Sequence, residues 1–259
     1  MRMDVCLSVI TVNYNNVVGL KNTINSVIQN KLQYDGFEYI VIDGGSFDGS
    51  TDIIRENSRY IDYWISEVDD GIYNAMNKGV RSSNGKYCLF LNSGDILYKD
   101  NVISRILPHL KSGEDYISGI EIMYKDGHPY VLQLPPRKVS PLFFLKSSLR
   151  HQATFIRRST LIDIPYDENY KLVSDWKHSS EVLAVGHGSY KRINIIVDVC
   201  ERDGATFQNR EKGNVERQEV FTSLFPTIPY RLNEYEKFCK RLKHYVEMIN
   251  ARLIWLYDK

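Results

Sequence analysis

From Leu7 to Val12 the chain reads LSVITV, an apolar, β-branched run that turns polar at Asn13-Tyr14-Asn15-Asn16. Leu20, Ile24, Val27 and Ile28 follow at helical spacing, so the pattern predicts strand, loop, helix. Phe37 to Asp43 repeats the strand, Gly44-Gly45-Ser46-Phe47-Asp48-Gly49-Ser50 repeats the loop, and a second helix carries Ile53 and Ile54. Tyr63 to Ser66 reads as a third strand. After an acidic turn, Ile72, Met76 and Val80 mark a helix, Asn84-Gly85 breaks it, and Tyr87 to Leu91 is a buried-strand run ending in Asn92-Ser93-Gly94-Asp95. Strands alternating with helices through short glycine-rich loops predict a parallel sheet covered on both faces, with its loops gathered at one edge. Asp43, Asp70 and Asp95 would share that edge.

Beyond Asp95 the period is less regular. A helix is expected over Val102 to Leu110, and a hairpin over Tyr116 to Tyr124 and Tyr130 to Leu134, turning at Asp126-Gly127. Pro135-Pro136 and Pro141 break regular structure. A strand at Ala153 to Ile156, a helix over Ser174 to Val185 and a strand over Ile193 to Val199 follow. From Asn233 onward, Tyr235, Phe238, Leu242, Tyr245, Ile249, Leu253 and Leu256 recur every three or four residues among Lys and Arg, an amphipathic helix. The expected organisation is one main α/β domain over 1–213 and a helical tail over 214–259.

With 259 residues and 43% hydrophobic content, the chain can bury a sizeable core. Its 33 Lys and Arg against 32 Asp and Glu leave a net charge of +1, so there is no overall field to attract nucleic acid. Cys6, Cys88, Cys200 and Cys239 are scattered without a C-x-x-C pair, which points to a reducing, cytoplasmic setting. The first strand comes too early and is too mixed for a signal peptide, and no apolar run approaches the ~20 residues that span a bilayer. The tail keeps two readings. Its apolar stripe, ringed by Lys237, Lys240, Arg241, Lys243 and Arg252, either lies in a membrane interface or packs on protein.

Asp95 follows the carboxyl end of a buried strand, where open α/β sheets bind ligands, and is expected to face a crevice on a rigid support. That is a good place for a hard metal ion. Asp48 reads as a turn or cap residue, and either Asp69 or Asp70 as the cap of the helix beginning near Gly71. Lys78 and Arg81 are expected on a solvated face.

The segments SVITVNYNN, YIVIDGGSFDGST, SEVDDGIYNAMNKG, GKYCLFLNSGD, HQATF and YKLVSDW, in this order, resemble the family 2 glycosyltransferases of the GT-A fold. That fold is a Rossmann-like α/β transferase domain with a mixed, mainly parallel sheet. The bacterial enzymes of exopolysaccharide and O-antigen synthesis, of the colanic-acid type, are the nearest in pattern. The resemblance runs from about Leu7 to about Thr206 and leaves the tail from Asn214 uncovered.

It implies an inverting transfer of a hexose or N-acetylhexosamine from a nucleoside diphosphate, UDP above others, to a glycan or polyprenyl-linked acceptor. Thr11, Asn13 and Tyr14 would line the nucleobase pocket, Asp43 would contact base or ribose, and Asp70 would lie in the donor pocket. The metal would be Mg²⁺ or Mn²⁺, which oxygen ligands suit. The family's metal motif usually has a carboxylate at both ends, so here Asp95 would be its only charged ligand, with Asn92 on the ribose or a metal-bound water. His151 and Gln152 would face the diphosphate or the acceptor. Arg202 stands where the family often has a small glycine-rich loop, and a guanidinium there would suit a diphosphate. Asp175, opening a helix in Val173-Ser174-Asp175-Trp176, would be the catalytic base. It is preferred to Asp167 and Glu168, which lie in a polar loop expected to be exposed. Asn74 replaces an Asp common in relatives and is given no catalytic role. Two other classes compete. The missing first carboxylate suits a catalytically silent nucleotide-sugar-binding or scaffold protein. A sugar nucleotidyltransferase would need a glycine-rich triphosphate loop that Thr11 to Gly19 does not provide.

Overall fold

The computed structural model describes residues 5–201, 209–230 and 234–257, with side chains in the last stretch for 241–252. In chain order the elements begin β1 (Leu7–Asn13), α1 (Val17–Gln33), β2 (Glu38–Asp43), α2 (Ser50–Glu56), β3 (Tyr63–Ser66), α3 (Ile72–Ser82) and β4 (Tyr87–Phe90). Next come β5 (Ile96–Leu97), α4 (Val102–Leu110), β6 (Tyr116–Lys125), β7 (His128–Gln133), α5 (Pro141–Lys146) and β8 (Thr154–Arg157). The chain continues through α6 (Arg158–Asp163), α7 (Ser174–Ser180), β9 (Tyr190–Glu201), α8 (Arg210–Leu224) and α9 (Glu234–Tyr257).

Among the described residues the nine strands form one sheet in the order β3-β2-β1-β4-β8-β6-β9-β5, with β7 added to β6. The first four strands are wholly parallel. Beyond β4 the sheet is mixed: β8 runs antiparallel to both β4 and β6, β9 is parallel to β6, and β5 is antiparallel to β9. The parallel strands are apolar on both faces, as burial by helices on both sides requires. Leu7, Val9, Tyr39, Val41 and Leu89 pack with Leu20, Ile24 and Ile54 of α1 and α2. Ile10, Val12, Ile40, Ile42 and Phe90 pack with Met76 and Val80 of α3 on the other face. α3 can sit that close because Gly79 faces β1, where a Cβ would fall 2.5 Å from Ile10 Cγ2.

The hairpin turn between β6 and β7 places Asp126 and Gly127 at φ 53° and 73°, the left-handed pair that matches strand twist. Three expectations change. Ile72 lies on the exposed side of α3 while Tyr73 is buried with Met76, Asn77 and Val80, so the helix is turned by one residue from the apolar pattern. The helix over Ser174 to Val185 is regular only to Ser180 and closes in a π turn over Glu181–Val185. β9 begins at Tyr190, earlier than its apolar core suggests.

The expected boundary at 213/214 falls inside α8, whose Val220 and Phe221 join the same core as Trp176 and Phe144. α9 lies against β7, burying Glu247 and Ala251, and leaves Leu242, Tyr245, Val246 and Ile249 exposed along one stripe. Among the described residues no helix is long and apolar enough to cross a membrane.

Candidate functional site

The carboxyl end of β4 runs straight into a tight turn. Asn92 N–H donates to Asp95 Oδ2 at 3.0 Å, and Asp95 N–H donates to Asn92 O at 2.9 Å. Helix α1 clamps this turn from the side. Thr23 Oγ1 donates to Asp95 O at 2.7 Å and accepts Gly94 N–H at 2.9 Å. Asn16 caps α1 through Gly19 N–H at 3.1 Å and, with its amide nitrogen, holds Ser93 O at 2.9 Å. The side chain of Asp95 is therefore buried, with 9% of the residue exposed, and does not project into the crevice as expected. Burial pushes its carboxyl up to about 7, against the pull of His151 and with the push of Glu121, while a hydrogen bond from Gln152 lowers it slightly.

Behind the turn lies an acidic cluster. The register pairs Leu97 with Asp198 and Asp198 with Glu121, so Glu121, Asp198 and Cys200 share one face beneath Asp95. Their ligand atoms lie within 4.8 Å of one another. Both oxygens of Glu121 and both of Asp198 are enclosed without a hydrogen-bond partner, and Arg150 Nε stands 3.6 Å from Glu121 Oε1. Sequence reasoning passed over this group. Its signal was an acid inside each of two apolar strand runs, Gly119 to Met123 and Ile195 to Cys200.

A chain of hydrogen bonds leads from the turn to α7. Asn92 Nδ2 is 3.0 Å from His151 Nε2, His151 Nδ1 is 3.1 Å from Asp175 Oδ2, and Tyr73 O–H donates to Asp175 Oδ1 at 2.8 Å. Burial pulls His151 down, but the hydrogen bond and charge of Asp175 outweigh it and hold the imidazole above its ordinary value. For Asp175 burial works upward, and the hydrogen bond and charge of His151 with the Tyr73 hydroxyl outweigh it, holding the carboxyl below its ordinary value. Between pH 3.8 and 6.5 the two are thus an ion pair, with Nδ1–H donating to Asp175. Nε2–H then needs an acceptor, and a half-turn of the Asn92 amide would offer the enclosed, unpartnered Oδ1. Tyr73, first-turn neighbour of the exposed Ile72, had not been singled out.

At the opposite end of the edge, Asp43 takes four donors: Asn13 Nδ2 at 2.7 Å, Ser46 Oγ at 2.6 Å, Ser46 N–H at 3.0 Å and Ser66 Oγ at 2.6 Å. Burial alone would raise its carboxyl, and these bonds together lower it instead. Its carboxylate is fully enclosed and staples the ends of β1, β2 and β3, so direct contact with base or ribose is not available to it. Thr11 is likewise fully buried, 3.1 Å from the Tyr39 hydroxyl, and lines no open pocket. Tyr14 is exposed at the rim beside Gly44, where a Cβ would meet Tyr14 Cδ2 and Asp69 Oδ2 at 3.2 Å. Asp48 accepts Val17 N–H at 2.7 Å and Ser50 N–H at 3.1 Å, a loop-holding part.

Asp70 does not cap α3: Gly71 heads that helix without a side-chain cap, and Asp70 is 85% exposed at the side chain, 3.6 Å from Lys171. Lys78 is drawn from solvent into ion pairs with Glu67 at 2.8 Å and with Asp69. Glu168 is only partly exposed, held at 2.8 Å by both Asn74 and Asn77, and Asp167 pairs with Lys177 at 2.6 Å. Both rival carboxylates are thus engaged. Arg202 lies outside the described residues.

A parallel half-sheet, a mixed second half and an acidic turn at the end of β4 define the GT-A class of transferase domain. The glycosyl transferase family 2 model matches residues 8–165, and the chain belongs to that family. An uncharacterized glycosyltransferase of Mycobacterium tuberculosis is 32% identical over 174 residues, 65% of either chain. A PGL/p-HBAD biosynthesis glycosyltransferase of Mycobacterium bovis is 31% identical over 150 residues, 54% of this chain and 56% of that one. The chain thus spans about two thirds or less of these relatives. Among solved structures, S. aureus TarS 1–349 in complex with UDP-GlcNAc has a TM-score of 0.65 at 17% identity, over 90% of this chain and 69% of that one. Mannosyltransferase PcManGT from Pyrobaculum calidifontis, in complex with GDP-Man and Mn²⁺, has a TM-score of 0.57 at 12% identity, over 98% and 87%.

Proposed function

We propose that this chain is an inverting glycosyltransferase that moves a hexose or N-acetylhexosamine from a UDP-sugar to a glycan or lipid-linked glycan of a surface polysaccharide. The observation that carries the reading is the unbroken run Asn92–His151–Asp175–Tyr73, which joins the turn after β4 to the first turn of α7. Displacement with inversion needs a leaving diphosphate on one side of the anomeric carbon and a proton acceptor on the other. Asp175 is kept ionised for that second task, and one of its two partners yields its place to the acceptor hydroxyl. The His151 imidazolium stands between the two ends and presents positive charge toward the departing oxygens. Relatives solved with UDP-GlcNAc and with GDP-Man support a nucleotide-sugar donor.

The residues fit a divalent cation. Asp95 is backed by four enclosed carboxylate oxygens of Glu121 and Asp198 that have no hydrogen bond; burial raises both carboxyls, and a bound cation would favour their ionised, ligating form. Asp95 would hold the ion, Mn²⁺ or Mg²⁺, with Asn92 beside it. When bound, the ion supplies charge neutralisation on the diphosphate. At the rim, Tyr14 is open to stack on a base, with Asn13 set beneath it by Asp43. The exposed stripe Leu242, Tyr245, Val246 and Ile249 with Arg241, Lys243 and Arg252 suits peripheral contact with the inner face of a cytoplasmic membrane.

The test is a thermal-shift screen of nucleotide sugars with and without Mn²⁺, followed by nucleoside diphosphate release. Metal-dependent stabilisation by one donor and its turnover are expected. Stabilisation without turnover under any acceptor would favour a silent binding protein, and no stabilisation by any donor would remove the reading.

A further inference from the structure

Arg217 belongs to α8, beyond the matched family segment, and its surroundings are unlike those of a surface arginine. Its guanidinium carbon lies 5.0 Å from the centre of the Trp176 ring, a cation–π contact with the residue that follows Asp175. The helix that delivers it is fixed in place. Glu216 accepts Lys171 N–H at 3.3 Å and Leu172 N–H at 3.0 Å, and Phe221 stacks on Trp176 at 6.5 Å. Arg217 is half-buried, yet among the described residues it forms no hydrogen bond and no ion pair, and none of its nitrogens belongs to the enclosed unpartnered atoms. Its five donors are therefore unpaired among the described residues and remain reachable from solvent. Asp175, Tyr73 and Tyr230 are near enough to act on its charge, and so is a second guanidinium, Arg150. Arg150 lies against Glu121, and an oxyanion beside Arg217 would be attracted by both guanidinium charges.

We propose that Arg217, flanked by Arg150, forms an anion-binding subsite on the Asp175 side of the crevice, for a phosphate or carboxylate carried by the acceptor. Its assignment to the acceptor rests on the proposed transfer reaction: Asp175 takes the acceptor's proton, so the group beside Asp175 stands across the anomeric carbon from the leaving diphosphate. The planar fork of Arg217, oriented on Trp176, can hold two oxygens of either oxyanion at once.

Calorimetric titrations of the full chain test this with three probes: geranyl phosphate and glucuronic acid, both in EDTA, and UDP in Mn²⁺. Wild type should bind one of the first two, and which one tells phosphate from carboxylate. Arg217→Gln should weaken that binding at least tenfold, and Arg217→Lys, which keeps a cation and the fold but loses the fork, at least threefold. UDP affinity should stay within twofold in both variants. Equal binding of both acidic probes by wild type and Arg217→Lys, or no binding by wild type, would overturn the subsite. A selective loss of UDP affinity would move Arg217 to the donor and overturn the acceptor assignment. Failure of wild type to bind UDP would instead count against the glycosyltransferase reading.

Discussion

Nδ1 of His151 lies 3.1 Å from Oδ2 of Asp175, and this contact ties the protonation of each group to the other. It also explains why a carboxylate at a helix start, by itself a weak base, need not act alone. In the proposed transfer Asp175 would release one partner and keep the other, so its charge would not be without a donor while it took a proton.

Asp175→Asn should keep donor affinity within about twofold while the transfer rate falls by ~10²–10⁴. The change is near-isosteric, and the Asn oxygen still accepts from Tyr73. Single-turnover kinetics with the identified donor and acceptor would measure it, and a near wild-type rate would shift the base to another carboxylate.

The titration of the pair has a defined sign. His151 has a raised value in the fold, so its contribution to stability is complete below its ordinary 6.5 and is lost as pH rises through the raised value. Asp175 has a lowered value, so its contribution is complete above its ordinary 3.8 and is lost as pH falls through the lowered one. Both are complete between pH 3.8 and 6.5. Asp175→Asn should therefore bring the His151 midpoint down, read from imidazole nitrogen shifts by NMR. An unmoved midpoint would mean that the two groups are not coupled in solution.

Metal and nucleoside should separate genetically. Asp95→Ala should abolish Mn²⁺-dependent affinity for UDP and leave the fold intact. Asp43→Ala strips the partner from Asn13, Ser46 and Ser66, so it should lower stability by about 1–3 kcal/mol and weaken uridine binding even in EDTA. Calorimetry with UDP and with uridine, beside a melting curve, tests both.

Gly85 lies where a Cβ would be 2.5 Å from Ser8 N and 2.7 Å from Leu7 C. These are main-chain atoms of β1, which cannot move aside as a side chain would. Gly85→Ala should cost about 1–3 kcal/mol in denaturant unfolding, and a neutral result would show that β1 is less constrained than its packing indicates.

The exposed stripe of α9 offers a clean comparison. Replacing Leu242, Tyr245 and Ile249 together by Ser should abolish sedimentation with anionic vesicles without lowering the melting temperature, because the helix is held to β7 by other residues. Equal sedimentation of both proteins would leave the stripe without a membrane role.

The parallel half of the fold was legible because β1 and β2 are short β-branched runs and β4 a short apolar one, punctuated by Gly and Asn, and their helices keep a 3.6-residue period. Asp43, Asp95, His151 and Asp175 were legible as positions, through ordered motifs at strand and helix ends. Their burial was not. Whether an aspartate after a strand faces solvent or turns inward depends on distant partners, such as Ser66, 23 residues from Asp43, and Thr23, 72 residues from Asp95. The pairing of Glu121 with Asp198 is set by strand register, which no local pattern reveals. Arg217 was hidden for a related reason: a charged residue on a polar helix reads as solvated until the ring beneath it is known.

The clamp of Thr23 and Asn16 on the turn after β4 means that the backbone of this turn is organised when the protein folds, by a helix that belongs to the opening strand–helix unit. Ordering entropy at this turn is then settled before any nucleotide arrives. Donor association should behave as docking to a rigid surface, with a small heat-capacity change and fast on-rates. Sequence drift at Thr23, far along the chain from the turn it serves, should alter donor residence time as surely as drift at Asp95.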